Sequence, residues 1–147
     1  MNTKPVSPVQ PELEEQVGFQ QLIGVRLVEW EPDYAVLVLD LDPRHLNRSG
    51  VPHGGLLCTL LDAVCGYSGL YSPLKTWNRK AVTLSLSTNF LAQSRGSQLR
   101  AVGRRISGGQ RIFNTTGEIY DEHGVLIATA QGTHRYRTGS SPADRPL

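Results

Sequence analysis

Cysteine, sulfur and unbroken apolar sequence are scarce in this chain of 147 residues, which holds two cysteines and one methionine. Cys58 and Cys65 fall seven positions apart on one expected helix, roughly 10 Å along its axis, which is too far for a disulfide. The longest apolar stretch, Leu56 to Val64, is interrupted by Thr59 and Asp62. It is too short and too polar for a transmembrane helix. The net charge is only +2 and Lys and Arg form no run, so neither a nucleic-acid partner nor a membrane surface is expected. The opening segment MNTKPVSPVQPELEEQ lacks the apolar run of a secretory signal. The chain's four histidines, His45, His53, His123 and His134, show no metal-ligand spacing with acids or cysteines. These absences give the expectation of a reduced, cytoplasmic protein with no metal.

With 39% apolar and 19% charged residues, the chain has the composition of one globular domain with a single core. Residues 1–11 and 138–147 are proline-containing and aperiodic, and are expected as disordered tails around a domain at 12–137. Within the domain, a short helix is expected from Glu12 to Ile23, stopped by Gly24. Val25 to Glu31 and Tyr34 to Leu41 read as two strands joined at Pro32-Asp33. In the first, Val25, Leu27 and Glu29 alternate with Arg26, Val28 and Trp30. In the second, Ala35, Leu37, Leu39 and Leu41 share a face. The loop DPRHLNRSGVPHGG leads into a helix from about Gly54 to Leu70. Four strands follow, at Ala81–Leu91, Leu99–Ile106, Arg111–Tyr120 and Val125–Tyr136, and are expected as a meander. Such an order gives an α+β fold with an antiparallel sheet.

The central helix has two unlike faces. Leu56, Leu57, Leu60, Leu61, Val64 and Tyr67 form a broad apolar stripe that must pack on the sheet. The other face holds Gly55, Cys58, Thr59, Asp62, Cys65, Gly66 and Gly69, all small except Asp62. A helix face turned to water would normally carry lysine, glutamate or arginine, so this one is expected to admit another backbone or a ligand. Asp62 is then a candidate functional carboxylate. The helix opens at His53-Gly54-Gly55, where free N–H groups and the positive end of the dipole can stabilise an oxyanion. Asn47 and His53 are expected to support the approach loop through backbone hydrogen bonds. Gly54 and Asp62 lie eight residues apart, roughly 12 Å along one helix. One carbonyl cannot use both from the same helix, so the expected site joins two antiparallel copies about a two-fold axis.

The run from Asn47 through His53-Gly54-Gly55 to Asp62 resembles the N-x5-H-G-G-x7-D signature of PaaI-like hotdog acyl-CoA thioesterases. The strand Val82 to Leu91, the turn Arg105 to Arg111 and the segment Asp121 to Ala128 are similar to that family as well. The resemblance spans roughly residues 15–136. It implies a hotdog fold, a curved antiparallel sheet of five to six strands wrapped around one long central helix, assembled as dimers or dimers of dimers. It also implies hydrolysis of an acyl-coenzyme A to a carboxylic acid and free CoA, without a cofactor beyond the CoA of the substrate. Asp62 takes the place of the family's general base or nucleophile, and the Gly54 N–H that of its oxyanion donor. Asn47 and His53 match supporting residues, and Thr83 a hydroxyl that helps place water. Gly55, Phe90, Gly108, Gly109, Gln110, Arg111 and Arg135 match positions that meet the substrate. Arg104, Arg105 and Arg111 flank the glycine turn as candidate phosphate partners. The same fold also hosts hydroxyacyl-CoA or hydroxyacyl-ACP dehydratases, whose motifs are not found here, and non-catalytic acyl-CoA-binding proteins.

Overall fold

The computed structural model describes residues 16–72 and 79–138. Both expected tails, apart from Thr138, and residues 12–15 of the first expected helix lie outside the described residues. The elements are α1 (Gly18–Ile23), β1 (Arg26–Glu31), β2 (Tyr34–Asp40), α2 (Gly54–Ser68), β3 (Ala81–Phe90), β4 (Gln98–Gly108), β5 (Ile112–Asp121) and β6 (Leu126–Tyr136). They form one antiparallel six-stranded sheet with α2 against one face, touching every strand. This is the expected α+β hotdog architecture. Among the described residues, no helix is long and apolar enough to cross a membrane.

The expected apolar stripe of α2 is buried throughout, with Leu60, Leu61 and Val64 at most 1% exposed. Burying each such leucine contributes roughly 2 kcal/mol. From the sheet, Ala35, Leu37 and Leu39 meet them together with Leu99, Ala101, Ile119, Ile127, Ala128 and Ala130. Glycine sets how close the helix comes. A Cβ on Gly103 would stand 2.3 Å from the Val64 carbonyl oxygen, and one on its cross-strand partner Gly117 would stand 2.8 Å from Cys65 Sγ. Val64 and Cys65 therefore lie directly on sheet backbone.

Four expectations are corrected. The last four strands are not a meander: the order is β1-β2-β4-β5-β6-β3, so β3 lies beyond β6 while β2 takes the place beside β4. Residues 91–97 are long enough to cross three strand spacings of about 4.8 Å each, which a tight hairpin turn could not do. The alternation in β1 breaks at a bulge between Leu27 and Glu29. Leu27 and Trp30 therefore both pack on the α2 side, while Val28 joins Val36, Val38 and Val102 on the outer face. Helix α1 begins at Gly18 because Val17 is extended (ψ 159°). It does stop at Gly24, whose φ of 81° suits glycine. Finally, the small face of α2 is narrower than expected. Cys65 is buried, and Gly69 sits so tightly on Phe113 that a Cβ would come within 2.3 Å of the ring.

Candidate active site

Asp62 projects from the exposed face of α2. Its Oδ1 accepts a hydrogen bond of 2.6 Å from the Thr83 hydroxyl, and Oδ2 has no partner among the described residues. Thr83 reaches Asp62 because β3 carries a bulge. Thr83 pairs with His134 and Ser85 with the adjacent Thr133, so Leu84 is the extra residue. Thr83 thereby shares the α2 side with Leu86, Thr88 and Phe90, which strict alternation forbids. Bulges re-aim side chains in this way beside functional sites.

The entry to α2 is built from the preceding loop. The Asp42 carboxylate caps a 3-10 turn at Pro43–His45 and accepts from the Arg44 backbone N–H at 2.8 Å. Hydrogen bonds from Arg44 hold the Asp42 carboxyl down at about 2, and the carboxylate also pairs with the Arg44 guanidinium. Buried His45 accepts from Asp42 N–H through Nδ1 and donates through Nε2 to the Ile23 carbonyl at 2.7 Å. That bond ties the loop to the end of α1. Asn47 Oδ1 accepts from the Ser49 and Val51 N–H groups at 2.8 and 3.3 Å. The His53 N–H then bonds the His45 carbonyl at 2.9 Å.

His53 is the N-cap of α2, its Nδ1 accepting from the Gly55 N–H at 2.9 Å. The next two amides bond the His53 carbonyl. The Gly54 N–H donates to no group among the described residues, so one donor is left at the positive end of the helix dipole. Phe90 lies 3.6 Å from the point a Gly54 Cβ would occupy. Gly54, Asn47 and Phe90 line a cavity of about 150 Å³, closed by Val51, Leu57 and Ile127. A larger hollow of about 690 Å³ lies on the outer face around Tyr34, Arg100, Arg104 and Tyr120, and of the expected site residues it meets only Arg104, a candidate phosphate partner.

One chain thus gathers the expected residues into separate groups. Asp62 and Thr83 form one. Asn47, Gly54 and Phe90 form a second, with His53 and Gly55 on its rim. The turn Gly108 to Arg111 forms a third, exposed and near the far end of α2, since Gly108 and Gly69 both abut Phe113. Arg135 stands beside that turn through its pairing with Ile112. Of the flanking arginines, Arg105 pairs with Asp33 at 3.4 Å and Arg104 lies over the Tyr34 ring on the outer face. Only Arg111 keeps the position expected of a phosphate partner.

Sequence reading passed over His134 as anything but a metal ligand. It lies 1% exposed on β6, within hydrogen-bonding distance of Thr83 and Thr115. Strand parity was the available signal, because His134 falls on the same face as the core residues Ala128 and Ala130.

A six-stranded antiparallel sheet on one long helix, with a carboxylate on the helix and an amide at its start left unpaired among the described residues, is a hotdog fold. The chain belongs to the thioesterase superfamily, whose family model matches residues 49–128. A Pseudomonas aeruginosa protein provisionally named esterase PA0474 is 32% identical over 66% of this chain and 71% of its own length. The conserved protein PA5202 of the same organism superimposes with a TM-score of 0.76 at 26% identity, covering 88% of this chain and all of that one. The Escherichia coli PaaI protein of the phenylacetic acid degradation operon shares the fold, with a TM-score of 0.73 at 20% identity over 83% and 85% of the two chains.

Proposed function

We propose that this protein is an acyl-CoA thioesterase whose site is completed by a second copy of the chain. The carrying observation is the half-held carboxylate: Asp62 is fixed through Oδ1 by Thr83, while Oδ2, on an exposed helix face, has no partner among the described residues. Water adds to the thioester carbonyl carbon as Asp62 takes its proton, or Asp62 attacks first and water opens the anhydride. The carbonyl oxygen gathers negative charge against the Gly54 N–H. Collapse breaks the C–S bond. In the first route the thiol leaves with the proton that Asp62 had taken. In the second a thiolate leaves as the anhydride forms and gains its proton from the water that opens it. Phe90 and Gly55 flank the acyl end, and the exposed turn Gly108-Gly109-Gln110-Arg111 with Arg135 offers donors and cations to the CoA phosphates.

Support for the second copy comes from distance and from the sheet edge. Gly54 and Asp62 are separated by roughly 12 Å of helix, and Asn47 and His53 stand with Gly54. At the same time β3, ten residues long, ends the sheet with no charge or proline to guard it. Such an edge invites a partner strand, and the exposed Leu84 and Phe90 (55% and 56%) add apolar area to be covered. A two-fold pairing there sets two helices antiparallel and brings each Asp62 towards the partner's Gly54. The test is release of free CoA, trapped by a chromogenic disulfide, across a panel of aromatic and aliphatic acyl-CoAs. Thiol release from at least one member is expected. Loss of enoyl absorbance without thiol release would identify a dehydratase, and binding with neither would identify a carrier.

A further inference from the structure

The mechanism above leaves the buried imidazole of His134 unused. His134 stacks on Phe113 with ring centroids 4.8 Å apart and planes at 15°. Its Nδ1 lies 3.2 Å from Thr83 Oγ1 and its Nε2 lies 3.0 Å from Thr115 Oγ1. Gly132 makes the room, since a Cβ there would stand 2.6 Å from Nε2. Beyond Thr115 lies the buried Cys65 thiol, which burial pushes up to about 11.

The direction of every proton in this chain follows from its end. An ionised carboxylate only accepts, so Thr83 spends its single hydroxyl proton on Asp62. The Thr83 oxygen must then accept, and the donor within reach is His134 Nδ1–H. Burial pushes the imidazole below its ordinary range, the Asp62 charge opposing in part, so the ring is neutral and Nε2 is bare. Nε2 accepts from Thr115. The donors of Thr115, His134 and Thr83 all point towards Asp62.

We infer that His134 is a positioning residue: its Nδ1–H commits the Thr83 hydroxyl to Asp62 Oδ1 and so presents Oδ2 to the reacting water. In the opposite tautomer, Thr83 would turn its proton to Nδ1 and the carboxylate would lose the hydrogen bond that anchors it. Thr115 therefore acts by holding the tautomer. The kinetic consequence rests on the thioesterase reading, but the proton order does not.

The test has two arms. Two-bond ¹H–¹⁵N correlation spectra of histidine-labelled protein at neutral pH, assigned by the peak lost in His134→Asn, are expected to show His134 as the Nδ1–H tautomer. Free imidazole side chains in water favour Nε2–H, so the Nε2–H pattern at this residue overturns the inference whatever the enzyme does. The second arm is kinetic. In His134→Asn the new side-chain amide nitrogen falls where Nδ1 was and can still donate to Thr83, whereas His134→Phe keeps the stacking and loses the donor. The Phe variant is expected to lose about tenfold in kcat, the scale of one missing hydrogen bond, with KM within about twofold. The Asn variant should recover most of that loss. Equal kcat losses in both variants would make His134 a packing residue and sink the proposal. Failure of the wild type to release thiol from any acyl-CoA would instead remove the thioesterase reading and leave the tautomer to decide the proton order.

Discussion

Adding one methyl group at Gly103 should damage stability and site together. The Cβ of an alanine there would lie 2.3 Å from the Val64 oxygen, 2.6 Å from the Val64 carbonyl carbon and 3.1 Å from the Cys65 nitrogen. All three are helix backbone, so no rotamer change relieves the contact. A carbon–oxygen separation of about 3.2 Å requires α2 to back away by roughly 0.9 Å, at the expense of close packing along its length. Overpacking of this kind costs about 3 kcal/mol, which lowers Tm by about 10 °C in a domain of this size. Asp62 rides on the same helix turn as Val64. A similar displacement would stretch its 2.6 Å bond to Thr83 beyond hydrogen-bonding range, and misplacement by about 1 Å costs on the order of 10²-fold in rate. Gly103→Ala is to be measured by urea or thermal unfolding and by thiol release below its Tm. A Tm within about 2 °C of wild type, with unchanged kcat, would refute the reasoning by showing that the helix does not rest on that glycine.

Four further outcomes are expected. Asp62→Asn keeps the shape but removes the base, and should lower kcat by about 10²-fold or more with a modest change in KM; activity within about threefold of wild type would remove Asp62 from the reaction. Thr83→Val should lower kcat while Thr83→Ser stays near wild type, because the hydroxyl and not the methyl group meets Asp62; equal losses would point to packing. Mixing Asp62→Asn with Gly54→Pro, which deletes the N–H at a position where helices accept proline, should restore about a quarter of wild-type activity through mixed dimers. No recovery despite demonstrated subunit exchange would mean that each chain holds a whole site. The last outcome concerns acid. The His134 pKa is depressed in the folded protein, so the unfolded chain binds the extra proton first as pH falls below 6.5. The contribution is full above that value and is lost on acidification towards the lower folded value. His134→Asn should therefore show a flatter fall in unfolding free energy between neutrality and about pH 5, and an unchanged slope would contradict the buried neutral ring.

What the sequence disclosed was local. The leucine stripe of α2, its glycine-histidine start and the lone Asp62 were all readable, because helical spacing converts directly into faces. The four late strands were found to within two residues at each end, because short polar turns separate them. Strand order was not readable, since nothing in Ala81 to Phe90 says whether its neighbour is β4 or β6. That is decided by what α2 covers and where β2 sits. The alternation expected of β1 failed at Val28, and Leu84 breaks alternation in β3 in the same way, since one added residue changes the face of everything beyond it. His134 was missed for a related reason. Its partners Thr83 and Thr115 are remote in the chain and meet it only through two strand pairings.

The bulge at Leu84 also bears on how this strand can change length. Remove Leu84 and the ladder becomes regular: Thr83 still faces α2, Ser85 still faces away, and Leu86, Thr88 and Phe90 keep their sides. A deletion elsewhere in β3 would send every residue on one side of it to the wrong face. Leu84 is thus the one point in the strand where losing a residue alters the spacing between the Thr83 hydroxyl and the Phe90 ring without reversing either. An alignment of relatives that sets a gap here would preserve the site, whereas one that sets the gap a few residues later would break it.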